Sequence, residues 1–245
     1  MIEFAKECRW SDLPASTQAT LVLCLKDLCA VAVAGGQTEL SAILRKTVAE
    51  TWLAQKDLAE KLCFDGTKVA PAGAALALGM TVDAIDAHDG HRLCKGHAGA
   101  ALFGAWAPFV EKYGTEREEA LTALAVGYEI AIRAGIALHA TAADYHTSGA
   151  WAAVGIAAML GRLRGLSDEQ LRHAIGTAEY HGPRSPMMRC IDHPTMLKDG
   201  AGWGAMAGVN AVDMAQRGFT GAPAELPDAM ELSSLGSRWT IEEQY

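Results

Sequence analysis

The sequence is short of aromatic residues, which make up 7% of its 245 positions, and it has no basic block to offset a formal net charge of −8. Without such a block, nucleic acid and anionic membrane surfaces are poor candidates for partners. Long apolar runs are also missing. A helix that spans a bilayer needs roughly 20 apolar residues, and the closest run, residues 20–35, is interrupted by Lys26 and Asp27.

Several common motifs are absent as well. The six cysteines are scattered without a Cys-x-x-Cys pair, and the N-terminus lacks a basic segment followed by an apolar one. Both features predict a protein of the reducing cytoplasm. There is no Gly-x-Ser-x-Gly elbow and no P-loop. The run Gly200-Ala-Gly202-Trp-Gly204 looks like a dinucleotide loop, but no strand pattern precedes it, so close helix packing explains it better.

What the sequence does contain is a large supply of small and apolar residues. Half of it is hydrophobic, 25 residues are glycine and the mean hydropathy is +0.09, which excludes a disordered chain. Helical periodicity predicts helices at about residues 16–34, 38–53, 71–85, 97–113, 115–139, 150–164, 167–181 and 201–217, a hairpin or loop at 62–69 and a long loop at 184–199. These elements predict an all-α, multi-helix domain of closely packed Gly/Ala-rich helices over residues 1–225, followed by a tail at 226–245.

One stretch differs from its apolar surroundings. Residues 86–97 carry seven acidic, basic or imidazole side chains, namely Asp86, His88, Asp89, His91, Arg92, Lys95 and His97. A dense polar segment between two buried helices predicts a pocket held by packed elements. A solvated loop between helices is the alternative.

Two further loops carry unusual polar groups. Residues 144–148 contain His146 just before a predicted helix, where N–H groups can hold an anion, and residues 184–199 contain Arg189 and Lys198. If the three loops converge, carboxylates, imidazoles and cations would share one pocket, which suits proton abstraction next to a carboxylate of an anionic substrate. His139 and His173 lie within helical patterns and favour core or surface roles; His181 and His193 stay undecided.

A metal centre is the rival interpretation of the first stretch. Its candidate ligands are Asp86, His88, Asp89 and His91, and they would serve a metal-dependent hydrolase.

Taken together, the three loops resemble the motifs of the MmgE/PrpD family. The first motif appears as Ile85-Asp86-Ala-His-Asp89 followed by Gly96-His97-Ala-Gly-Ala, and the second as Asp144-Tyr-His146-Thr-Ser-Gly149. The third runs from Met196-Leu-Lys198-Asp-Gly200 to Gly218-Phe-Thr-Gly-Ala-Pro223. Order, spacing and flanking residues agree over most of the chain.

The resemblance implies an all-helical domain and a homodimer. It also implies a cofactor-independent lyase or isomerase of small di- or tricarboxylates, in a family that includes 2-methylcitrate dehydratase, cis-aconitate decarboxylase and iminodisuccinate epimerase. It makes Asp86, His97, His146 and Lys198 the candidate catalytic residues and implies a site without a metal ion. His91, Arg189 and Ser148 are the candidate substrate-binding residues.

Three departures from the family pattern bear on these expectations. Gly90 stands where the family has a polar residue, so His91 is the expected substitute, and the gap to His97 is one residue longer. The α/β lid domain of complete members is expected to be absent from this chain, which makes a separately encoded lid a candidate partner. A non-catalytic helical dimerisation module is the remaining alternative.

Overall fold

A computed structural model describes residues 1–193 and 195–225 of the chain. Within these ranges it contains ten helices and one two-stranded antiparallel hairpin, which confirms the all-α prediction. The helices are α1 (Ile2–Glu7), α2 (Ala15–Gly35), α3 (Glu39–Thr51), α4 (Pro71–Asp83), α5 (Gly99–Tyr113), α6 (Arg117–Thr141), α7 (Gly149–Leu163), α8 (Asp168–His181), α9 (Met187–Asp192) and α10 (Ala201–Gln216). The hairpin pairs β1 (Glu60–Lys61) with β2 (Lys68–Val69), and a 3-10 turn covers Trp10–Asp12.

Helix α7 forms the centre of the fold. Every residue from Gly149 to Gly161 is buried, because this helix is apolar on all sides and so has no face suited to water. Helices α6, α8 and α10 pack around it, and α4 lies between α5 and α10. The ends of these packed helices are therefore held firmly, and the site loops emerge from them.

Glycine allows α4, α5 and α10 to approach main chain to main chain. A Cβ at Gly104 of α5 would lie 2.8 Å from the Cα of Gly79 on α4, and a Cβ at Gly79 would lie 2.8 Å from the Cα of Gly202 on α10. Real Cβ atoms do not come this close to backbone atoms. The small residues of these helices are thus a requirement of the packing.

Local signals set most helix boundaries. Gly114 follows α5 in the left-handed region at φ 58°, and Ser167 with Gln170 forms a capping box at the start of α8. Glu116 caps α6, because its carboxylate accepts two main-chain N–H groups. One prediction needs correction, since the predicted loop at 184–199 contains the short helix α9.

Two described helices, α2 and α6, are long and apolar enough to cross a membrane by length and composition alone. The apolar window of α6 is 83% buried inside the fold, so this is a core helix, whereas that of α2 is 28% buried. The predicted tail at 226–245 lies outside the described residues.

The glycine contacts predict that Gly104→Ala destabilises the fold. The added methyl group would meet the main chain of α4, so the helices must separate, at a cost of about 1–3 kcal/mol in the free energy of unfolding. Gly161→Ala is the matched control on α7, since the atoms nearest to its methyl group belong to the side chains of Leu166 and Leu171 and not to a helix backbone. Chemical denaturation measures both variants. A Gly104→Ala protein as stable as the wild type would contradict this packing.

A second prediction concerns Glu60, which lies on β1 and is 3% exposed. Burial raises its pKa from 4.5 to about 7, while the charges of Arg164 and Lys112 oppose the rise. A carboxyl group with a raised pKa costs the folded state stability as pH climbs from the unfolded value through the folded one. Glu60→Gln should therefore be more stable than wild type at pH 8, by on the order of 2 kcal/mol.

The stability difference should disappear at pH 4, where the folded and unfolded carboxyl groups are both largely protonated. Glu111→Gln is the control, because Glu111 is half exposed and pairs with Lys61. Thermal melts across this pH range provide the measurement. An equal gain for Glu60→Gln at pH 4 and pH 8 would refute the assigned cause.

Candidate active site

Three loops meet at one end of the helical bundle. Residues 84–98 join α4 to α5, residues 142–148 join α6 to α7, and residues 182–200 join α8 to α10 and contain α9. Hydrogen bonds cross between them: His97 N–H to Ser148 Oγ (2.9 Å), Tyr145 Oη to the Lys95 carbonyl, Thr147 N–H to the Ser185 carbonyl (2.9 Å) and Met187 N–H to the Tyr145 carbonyl (2.8 Å). The three polar segments of the sequence thus form one surface.

Close contact between two helix starts brings the second and third loops together. A Cβ at Gly149, the first residue of α7, would lie 2.4 Å from the carbonyl oxygen of Gly200, the residue before α10. Gly200 itself has φ 73°, a conformation that glycine adopts without strain. The glycine pattern in this part of the sequence therefore serves the geometry of the site.

His97 lies at the centre of the polar cluster. Its Nδ1 is 2.6 Å from the main-chain carbonyl oxygen of Asp89, which can only accept, so Nδ1 carries a proton. Its Nε2 faces two carboxylates, with Asp86 Oδ1 and Asp199 Oδ2 each 3.6 Å away. An imidazole between two carboxylates can take up and release a proton at Nε2, which is the geometry that general acid–base chemistry needs.

Asp199 is a member of this cluster that the sequence analysis missed. Its side chain is 13% exposed, compared with 25% for His97 and 60% for Asp86, so the cluster opens to solvent on the Asp86 side. Burial raises the pKa of Asp199, the charges of Asp83 and Asp86 add to the rise, and His97 opposes it. Its position between Lys198 and a glycine was the only signal in the sequence.

A second pair, Asp83 and His88, lies beneath the cluster. His88 Nε2 is 3.1 Å from Asp83 Oδ1, and the two side chains are 0% and 1% exposed. Burial by itself lowers the pKa of His88, but the hydrogen bond and charge of Asp83 outweigh it and the net direction is upward. The His88 and His97 rings are nearly perpendicular, at 83°, with centroids 4.4 Å apart.

Backbone strain is concentrated in the site loops. Of the four non-glycine residues with positive φ in the described part of the chain, three are Asp86 (51°), Lys95 (54°) and Lys198 (56°). Such conformations cost about 1–2 kcal/mol for an L-residue, and they persist where the surrounding structure holds them in place. The loops are thus held in specific conformations.

The other two predicted catalytic residues, His146 and Lys198, lie in the second and third loops. The main-chain N–H of His146 donates to His139 Nε2 (3.3 Å), and its Nδ1 is buried without a hydrogen-bond partner among the described residues. Lys198 is half-buried and directly precedes Asp199. Neither side chain has a described hydrogen bond or ion pair with Asp86, His97 or Asp199.

The three predicted substrate-binding residues have different surroundings. Ser148 is buried, and its Oγ accepts the His97 N–H, so here it holds the first loop to the second. His91 pairs through its main chain with Gly96, and burial lowers its pKa, with Arg92 adding to the effect. Arg189 is exposed on α9.

The structure groups a different set of metal-ligand types from the one expected. Donor atoms of Asp86, His88 and His97 lie within 4.8 Å of one another, as do those of Asp83, Asp86 and Asp199. Asp89 instead faces Gly99 and the Tyr128 hydroxyl.

Both ring nitrogens of His88 are already hydrogen-bonded, to Asp83 and to the Asp89 carbonyl. A cation that used His88 would therefore have to displace an existing bond, and Asp86 with His97 and Asp199 are the more available donors.

Comparison with known proteins supplies the family. A family model described as the MmgE/PrpD N-terminal domain matches residues 1–232. A search among curated proteins finds no match to the chain. Members of the matched family are lyases and dehydratases. The chain belongs to the MmgE/PrpD family and carries its N-terminal domain.

Proposed function

We propose that this protein is a cofactor-independent lyase or isomerase that acts on a small di- or tricarboxylate in the cytoplasm by proton transfer next to a carboxylate. Within this class, a carbon–oxygen lyase of the 2-methylcitrate dehydratase type is the first choice. One observation carries the proposal: His97 Nε2 lies between the carboxylates of Asp86 and Asp199, while its Nδ1 is fixed on the Asp89 carbonyl.

This arrangement supports a division of roles between three groups. His97 takes the proton from the carbon next to a substrate carboxylate, and Asp86 orients the imidazole and stabilises its charged form. Asp199, whose pKa burial raises, can hold a proton and deliver it to a departing hydroxyl group. Elimination needs both a base and an acid, and groups in different environments can supply both.

Binding of an anionic substrate requires cations, because the cluster itself is rich in carboxylates. Lys198 directly precedes Asp199, and Arg189 lies on α9 in the same loop, so these two side chains are the proposed carboxylate ligands. His146 is proposed to bind or polarise a substrate carboxylate together with Lys198, and His91 and Ser148 are the further proposed substrate-binding residues. Because Asp86 is 60% exposed, a cover that excludes water would strengthen these interactions.

Two partners are expected, one because Asp86 is exposed and one because helices rich in small residues can pack closely against a second copy. A separate lid domain would close the Asp86 side of the cluster, and a second copy of the chain would form a homodimer. Both belong to the proposal.

Proton exchange with solvent tests the proposed function. The purified chain is incubated in D2O with citrate, 2-methylcitrate, cis-aconitate and related acids, with and without a candidate lid protein. Proton NMR then follows deuterium incorporation and product formation. Deuterium entry next to a carboxylate is the expected result, whether the reaction ends in elimination, decarboxylation or epimerisation. Absence of exchange, turnover and thermal stabilisation with every acid would leave the non-catalytic dimerisation module as the better description.

Replacement of the central imidazole tests its role. His97→Gln should lower turnover by about 10²–10⁴-fold, because a glutamine amide cannot exchange a proton at the Nε2 position. His173→Gln is the matched control, since His173 lies on α8 and its only described ion pair is with the surface residue Glu169. Steady-state rates of both variants provide the measurement. Equal rates for His97→Gln and wild type would remove His97 from the mechanism.

A metal-dependent hydrolase is the alternative, favoured by the 4.8 Å grouping of Asp86, His88 and His97. The proposed lyase should keep its activity after exhaustive treatment with a chelator, and the purified protein should contain no stoichiometric metal. Elemental analysis and assays before and after chelation distinguish the two. Loss of activity on chelation, with recovery on addition of a divalent metal ion, would favour the hydrolase.

A further inference from the structure

The Asp83–His88 pair has no place in the proposed chemistry, although it is among the most buried charged groups near the site. Its side chains are 1% and 0% exposed, so neither can contact a substrate from solvent. Removing two such groups from water is costly unless every polar atom finds a partner. The hydrogen bonds that satisfy them therefore indicate what the pair does.

Two polar atoms of the pair bond each other, and the other two are directed at the candidate site. Asp83 Oδ1 faces His88 Nε2 at 3.1 Å, and Asp83 Oδ2 accepts the main-chain N–H of Asp199 at 3.0 Å. His88 Nδ1 faces the Asp89 carbonyl oxygen at 3.4 Å. The Asp89 carbonyl and the ionised Asp83 carboxylate are both acceptors, so His88 can donate to both of them only when both of its ring nitrogens carry a proton.

These bonds hold His97 from two sides. The Asp89 carbonyl that receives His88 Nδ1 also receives His97 Nδ1, at 2.6 Å. The Asp199 main chain that Asp83 holds carries one of the two carboxylates that face His97 Nε2. In addition, the His88 ring lies against the His97 ring, with centroids 4.4 Å apart. The pair thus contacts every group that orients His97 except Asp86 and Ser148.

We propose that Asp83 and His88 are positioning residues. They fix the position of the His97 imidazole on the first loop relative to the Asp199 carboxylate on the third loop. Asp83 acts as the junction, because one carboxylate group binds both loops. His88 transmits the constraint to the Asp89 carbonyl and to the His97 ring. Loss of the pair would let these groups move relative to one another, and a shift of about 1 Å can reduce a rate by roughly 100-fold.

Asp83→Asn is the sharpest perturbation. The asparagine amide has one acceptor oxygen where the structure needs two, so either His88 or the Asp199 N–H must face an NH2 group. His88→Gln is the conservative counterpart, because its amide keeps an N–H donor for Asp83. Thr81→Val is the matched control: Thr81 lies two residues before Asp83 on α4, and its hydroxyl forms a buried 2.7 Å hydrogen bond with Ser41 that does not involve the site.

Long-range ¹H–¹⁵N spectra of the histidine rings report the tautomer and mobility of His97 without a substrate. In wild type, His97 should give one sharp set of signals with the proton on Nδ1. Asp83→Asn should broaden or split this set, His88→Gln should change it less, and Thr81→Val should leave it unchanged although it also removes a buried hydrogen bond. A folded Asp83→Asn protein with wild-type His97 signals would overturn the proposal.

If Asp83→Asn does not fold, the wild-type spectrum still decides the matter. His88 must then appear with both ring nitrogens protonated at pH 7, and a neutral His88 would overturn the assignment of its two hydrogen bonds.

The kinetic part of the test rests on the proposed function. Asp83→Asn should lower kcat by about 10–100-fold with KM within about twofold, whereas Thr81→Val should change neither. Wild-type protein without turnover, but with the expected His97 spectra, would contradict the proposed function and leave the positioning role in place. A kcat unchanged in folded Asp83→Asn would contradict the positioning role.

Discussion

The geometry of the candidate site depends on the carboxylate of Asp83. This side chain lies at the last residue of α4, is almost completely buried, and uses its two oxygens on two different loops, binding His88 in one and the Asp199 main chain in the other. A carboxylate is well suited to such a junction because it accepts from several donors at once. The loops that carry Asp86, His97 and Asp199 are thereby fixed relative to a core helix.

That helix can act as an anchor because of how the bundle is packed. Glycine residues on α4, α5 and α10 let the helix backbones touch, as the close approach of Gly79 to both Gly104 and Gly202 shows. Backbone contact leaves little freedom for the helices to slide, since interiors at this density resist small displacements. The strained conformations of Asp86, Lys95 and Lys198 in the adjoining loops are retained for the same reason.

Much of the fold was accessible from sequence because its signals are local. The capping box at Ser167, the left-handed Gly114 and the apolar periodicity of each long helix need no tertiary information. Helix α9 was missed because six residues next to prolines show no periodicity. Its existence depends on the loop around it, which sequence spacing does not encode.

The candidate site also contains residues that the sequence revealed and residues that it did not. Residues 86–97 were recognisable because their charges interrupt two apolar segments. Asp83 lies within the helix predicted at 71–85 and Asp199 lies in the loop predicted at 184–199, and neither carboxylate was selected. Their importance comes from burial and from contacts between residues more than one hundred positions apart, such as the bond from Asp199 N–H to Asp83, and these follow only from the helix packing.

A crystal structure of the protein with bound citrate tests the central claim most directly, because it reports the cluster and its ligand together. The account predicts a citrate carbon next to a carboxylate facing His97 Nε2, with Asp86 and Asp199 still on either side of the imidazole and a citrate carboxylate near Lys198. Citrate bound elsewhere on the protein, or a cluster in which Asp86, His97 and Asp199 are separated, would contradict it.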